Sequence, residues 1–170
     1  MNTQNKQKDN RDLPTHIIVL TVACFLLALL LIFLPEKQPK VVFIPPSDEP
    51  MAREGIPETT ADEGYRQIHT AGMHYTAMMC GNPRVGEKGL RLCFTNPEDN
   101  AVWLRLRLYD ESGQIVGETG ILRPGEYVES VPLAEGTNPA GPFTAEIMSY
   151  QPETYFSQGA VRVNIKGTAS

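Results

Sequence analysis

The spacing of apolar and polar residues changes character three times along the chain. Residues 17–34 form an 18-residue run in which Thr21 is the only polar residue, and no Asp, Glu, Lys or Arg occurs between positions 13 and 35. At about 1.5 Å per residue a helix of that length spans roughly 27 Å, close to the hydrocarbon thickness of a bilayer. Residues 36–70 carry five prolines among acidic and small residues, with Val41-Val42-Phe43-Ile44 as the single apolar island. This composition predicts a semi-extended tether, with the island either free or paired to the following domain as an edge strand.

After position 70 the alternation has period two. Short strands are predicted at residues 73–80, 89–95, 102–110, 115–122, 126–133, 142–150 and 160–166. The turns between them include Asn96-Pro97, Ser112-Gly113 and Pro124-Gly125. Seven strands in about 100 residues predict an all-β, immunoglobulin-like antiparallel sandwich. The expected layout is a short tail (1–13), a transmembrane helix (14–35), a Pro-rich tether (36–70) and a sandwich domain (71–170). Within 102–110 the residues Val102, Leu104, Leu106 and Leu108 face inward, leaving Trp103, Arg105, Arg107 and Tyr109 outside. Trp103 therefore lies opposite the core, unlike the buried tryptophan of antibody domains.

A cleaved signal peptide would need a shorter apolar run followed by small residues, whereas this run ends in Leu34-Pro35-Glu36. Thr21-Val22-Ala23-Cys24 is a poor lipobox, because ten apolar residues follow Cys24. Leu34-Pro35-Glu36-Lys37-Gln38 lacks the Thr-Gly of a sortase signal and lies on the wrong side of the apolar run. An uncleaved signal anchor fits best. Lys6, Lys8 and Arg11 precede the span against Lys37 and Lys40 after it, which predicts a cytoplasmic N-terminus and an extracytoplasmic domain.

Charge sharpens this division. Up to Lys40 there are five Lys/Arg against three Asp/Glu, while from Val41 onward there are ten against seventeen, a net of −7. Such a domain lacks the basic footprint that nucleic-acid binding requires. No G-x-S-x-G elbow, dinucleotide fingerprint or phosphate loop occurs, nor any Cys/His cluster with metal-ligand spacing. No catalytic residue, cofactor or metal site is therefore expected. His69 and His74 read as exposed polar residues, and Asp110-Glu111 as the tip of a hairpin.

Two constellations stand out. Cys80 and Cys93, separated by twelve residues including a turn-rich loop, are candidates for a disulfide worth about 3 kcal/mol. By parity Cys93 falls with Arg91 and Thr95, so the bond would lie on the outer side of its sheet. In a seven-strand sandwich the third, sixth and seventh strands share a sheet. Its outer face then carries Trp103, Arg105, Arg107 and Tyr109 beside Glu146 and Tyr150, with Arg162 and Lys166 beyond. That is four cations against one carboxylate, read either as a solvated face or as a docking face.

Asn96-Pro97, Leu108-Tyr109-Asp110-Glu111-Ser112-Gly113, Glu118-Thr119-Gly120, Leu122-Arg123-Pro124-Gly125-Glu126 and Ser149-Tyr150 resemble a family of small single-pass surface proteins of Gram-positive, clostridia-like bacteria. Members carry one sandwich domain after a tether, and many are encoded in mobile or conjugative regions. The resemblance covers residues 80–170 and implies no catalytic residue. The expected function is a non-catalytic binding or assembly module at the cell envelope, as an accessory subunit of a surface apparatus with a protein partner. The alternative is an adhesin-like or inhibitor-like domain for a protein or an anionic wall polymer; a wall hydrolase is the weakest reading.

Overall fold

The computed structural model describes residues 12–33, 43–68 and 73–168, and divides the chain into two units, Met1–Phe43 and Ile44–Ser170. In the first, a helix, α1, runs Asp12–Phe33. Its side chains are described only over residues 17–29, where large apolar groups such as Leu20 and Phe25 are each 67% exposed. Among the described residues no helix is long and apolar enough to cross a membrane.

The second unit is an antiparallel two-sheet sandwich. Its described strands are β1 (Arg53–Glu54), β2 (Tyr65–Ile68), β3 (Ala77–Cys80), β4 (Arg84–Gly86), β5 (Gly89–Thr95), β6 (Trp103–Tyr109), β7 (Ile115–Glu118), β8 (Glu126–Val131), β9 (Pro142–Tyr150) and β10 (Ser157–Lys166). One sheet has the order β1-β8-β5-β3-β2, with β4 also paired to β5; the other is β10-β9-β6-β7. The strict alternation of β6 is realised, with Leu104, Leu106 and Leu108 fully buried and the residues between them half-exposed. They pack against Leu90, Leu92 and Phe94 of the opposite sheet. Each such side chain contributes about 1.5–3 kcal/mol by leaving water.

Two bulges reconcile the sheets with this core. Leu90 pairs with Val131 and Phe94 with Val128, so five residues of β5 span four of β8, and Cys93 takes the left-handed φ of 49°. Between β6 and β7, Tyr109 faces Ile115 while Leu108 faces Gly117, so Val116 is the extra residue. Gly117 is required there, because a Cβ would lie 2.8 Å from the Pro132 carbonyl oxygen. Asn96, fully buried, ties the ends of the sheets together. Its Nδ2 donates to the carbonyls of Val102 and Leu122, both at 2.9 Å, and its Oδ1 accepts from Asn100 at 2.6 Å.

The seven-strand count is corrected by β1, β2 and β4, which lack the alternation of a half-buried strand. The tether is corrected too, because its described part from Ile44 onward belongs to the sandwich unit. Asp48 bridges to Ile121 in parallel, and β1 pairs with β8. The Glu49 carboxylate accepts from Gly120 N–H at 2.6 Å, where a Cβ on Gly120 would meet the Asp48–Glu49 backbone at 2.6–2.7 Å. Backbone hydrogen bonds and buried carboxylates hold this segment, so its polar sequence reads as unstructured. Val41 and Val42 of the apolar island lie outside the described residues.

Candidate functional site

The predicted sheet β10-β9-β6 exists, and its register assembles the expected face. Trp103 lies opposite Tyr150, Arg105 opposite Met148, Arg107 opposite Glu146 and Tyr109 opposite Thr144. Across β9, Glu146 faces Arg162, and Pro142 faces Lys166 at the exposed end of β10. Glu118 of β7, opposite Arg107, completes a row that runs Glu118, Arg107, Glu146, Arg162 across four strands.

Charge alternates along this row, and its members are engaged. Glu118 lies 2.8 Å from Arg105 and 3.2 Å from Arg107, and Glu146 lies 2.8 Å from Arg162. Tyr109 donates its hydroxyl proton to Glu146 at 2.7 Å, and the Arg162 guanidinium sits 5.5 Å from the Tyr109 ring centroid. The Tyr109 hydroxyl and the Arg162 guanidinium together hold the Glu146 carboxyl below the usual glutamate range, against the opposing effect of burial. The expected ratio of four cations to one carboxylate is therefore corrected to four against two. Strict alternation along 115–122 puts Glu118 on the Val116 side; the bulge moves it to the arginine side. Glycine inside a strand, as at Gly117, is the sequence signal of such a bulge.

At one end the face becomes aromatic. Trp103 meets Tyr155 edge-on, with ring centroids 5.3 Å apart, and Arg123 lies 5.7 Å from the Trp103 ring. Tyr155 belongs to the β9–β10 connection, in which Glu153 and Tyr155 both hold left-handed φ values of 63° and 57°. Each costs of order 1–3 kcal/mol for a non-glycine residue. This strained loop presents Phe156, 68% exposed, beside the Trp103–Tyr155 pair.

The outer face of the other sheet is covered. Glu63, 2% exposed at the end of a 3₁₀ turn (Ala61–Glu63), accepts from Arg91 Nε at 2.8 Å and from Thr60 N–H at 2.8 Å. Arg91 also donates to the Glu58 carbonyl at 2.6 Å. Burial alone would raise the Glu63 pKa, but the Thr60 N–H and the Arg91 guanidinium outweigh it and hold the carboxyl below the ordinary range. Beneath this strap Cys80 and Cys93 are both fully buried free thiols. Their mutual proximity pushes the Cys80 thiol up and holds the Cys93 thiol down. Cys93 does lie on the outer side by parity, but the strap makes that side interior.

Next to the strap, a cavity of about 810 Å³ is lined by Tyr65, Met78 and Thr95 and rimmed by Glu54, Glu98 and Glu126. Its two hydroxyl groups, on Tyr65 and Thr95, bond to each other at 2.7 Å. His74 is exposed, while His69 lies outside the described residues. Among the described residues no His/Cys/Asp/Glu group could hold a metal ion. Asp110 accepts from Gln114 N–H at 2.9 Å and from Ser112 at 2.7 Å, the geometry of a hairpin turn. Compared with protein-family models, curated proteins and solved structures, the chain matches none.

Proposed function

We propose that this chain is a non-catalytic binding or assembly module, anchored in a bacterial cell membrane through the apolar run of residues 17–34, with the sandwich outside the cytoplasm. The observation that carries the reading is the β10-β9-β6-β7 face: Trp103, Tyr109, Arg105 and Arg107 held in place by Glu118 and Glu146, beside a strained loop that exposes Phe156. Tryptophan, tyrosine and arginine supply most of the energy at protein interfaces, and a pre-ordered face loses little entropy on docking. Pairing of Arg105, Arg107 and Arg162 with carboxylates weakens the field that an anionic wall polymer would need, and so favours a protein partner.

The strand order supports an immunoglobulin-like topology. β3, β5 and β8 take the places of strands A, B and E, and β6, β9 and β10 those of C, F and G. The N-terminal β1 fills the position beside β8 that a D strand would occupy. The anchor reading is supported by the charge-free run of residues 17–34, since apolar side chains exposed around a helix suit lipid rather than water.

A photo-crosslinking amino acid placed in living cells at Phe156 or Arg162, and at Glu87 in the β4–β5 turn as the control, tests the docking face. A discrete product from the first two sites alone is expected. Equal products from all three sites, or none from any, would reject it.

A further inference from the structure

We propose that Cys80 and Cys93 are a disulfide site, closed by thiol–disulfide exchange before the Glu63 strap seals over them. The first ground is register. Met78 of β3 pairs with Thr95 of β5, and Cys80 lies two residues beyond Met78 while Cys93 lies two residues before Thr95, so parity puts both cysteines on the same side of two neighbouring strands. Opposed residues on such strands hold their Cβ atoms about 4.5–5.5 Å apart, against 3.5–4.5 Å in a disulfide, and a bulge at Cys93 adjusts the approach. The second ground is that both thiols are free and fully buried on the side that the Glu63 strap covers. The third is the backbone of Cys93. A cysteine occupies the left-handed bulge position, φ 49°, where glycine would be unstrained, so that position carries a thiol at a conformational cost.

The exchange proceeds in two steps. The Cys93 thiolate attacks one sulfur of a disulfide oxidant, either oxidised glutathione or an oxidised CxxC oxidoreductase. One oxidant thiolate leaves, and Cys93 is left in a mixed disulfide. Cys80, on losing its proton, attacks the Cys93 sulfur and expels the second oxidant thiolate. Two electrons and two protons pass from the pair to the oxidant, and one S–S bond is exchanged for another. The order of attack follows from sequence neighbours: Arg91, two residues from Cys93 on the same side of β5, favours the Cys93 thiolate as the first nucleophile. Neither thiol is exposed once the strap is seated by Glu63–Arg91 and by the Gly81 and Asn82 N–H groups on the carbonyls of Gly64 and Glu63. Closure therefore belongs to folding, and the sealed bond resists both reductant and oxidant.

The test uses the full chain carrying Cys24→Ser, which leaves Cys80 and Cys93 as its only thiols. It is unfolded in reductant, refolded in a glutathione redox buffer, then alkylated in denaturant and weighed. The expected result is no alkylation before reduction and two alkylated cysteines after it. Two alkylated cysteines without reduction, in a chain that has regained its circular dichroism, would overturn the proposal. Refolded Cys80→Ser on the same background should retain one glutathione, held by Cys93; no adduct would reject the assigned order of attack. Glu63→Gln should speed reduction of the folded, oxidised chain by dithiothreitol roughly tenfold, and an unchanged rate would reject the seal. The chemistry is measured in vitro, so a reduced pair in protein taken from cells would count against the extracytoplasmic reading and leave the site standing.

Discussion

The two outer faces of the sandwich are built from similar sequence and end in opposite states. On β6, residues of the outward parity are Trp103, Arg105, Arg107 and Tyr109, all half-exposed. On β5 they are Arg91, Cys93 and Thr95, of which Cys93 is fully buried and Thr95 3% exposed. The difference is the segment 58–65, which lays Glu63 and Tyr65 over one sheet while the other stays open. Period-two alternation tells which side of a strand a residue takes. It does not tell whether that side meets water.

Asn96 serves both sheets, so Asn96→Ala should produce the largest effect, about 3 kcal/mol, by leaving the Val102 carbonyl without its side-chain donor and the Leu122 carbonyl with Leu104 N–H alone. Denaturant unfolding measures it, with covered and open faces failing together. A smaller effect, limited to the covered face, is expected for Arg91→Met. Glu63 is then buried without its cation, at a cost of about 2 kcal/mol after allowance for the partial exposure of Arg91. Hydrogen exchange should show residues 58–68 loosened and β6 and β9 unchanged.

The same contrast has a pH signature. The Glu63 carboxyl is held below its ordinary value of 4.5, so its contribution is complete above that pH and is lost as pH falls through the lower, folded value. Wild-type protein should loosen its strap in acid below about pH 4.5, and Arg91→Met should show a shallower dependence. On the open face Glu118→Gln should cost no more than about 1 kcal/mol, because both of its arginine contacts are reached by solvent. Phe156→Ser should be smallest in stability, within about 0.5 kcal/mol by thermal unfolding, yet it should abolish partner crosslinking at position 162.

Much of the sandwich was legible because leucine alternation is strong. β9 begins and ends where the pattern places it, at Pro142 and Tyr150, and β6 does so to within one residue. The shared sheet of β6, β9 and β10, and with it the row of candidate face residues, followed from that alternation and strand order. What was lost lay where backbone rather than side-chain burial does the pairing. β1 is two charged residues, and Glu49 and Glu63 are buried carboxylates that a polarity pattern assigns to solvent. Glu118 was lost for a different reason, since one inserted residue reverses the parity of everything after it. Asn96 was visible as a turn former, but its role as a buried cross-brace depends on two carbonyls distant in sequence.

Trp103 is the single tryptophan of the chain. Its ring touches Tyr155 of the strained loop and lies beneath Arg123, whose guanidinium is also 2.8 Å from Asp48 in the docked N-terminal segment. One native fluorophore thus sits at the junction of the exposed face and the segment that leads into the cover of the opposite one. Its emission would shift when a ligand displaces Tyr155, and shift differently when Asp48 lets go of Arg123. The molecule carries its own optical probe for separating capture from undocking, with no dye attached.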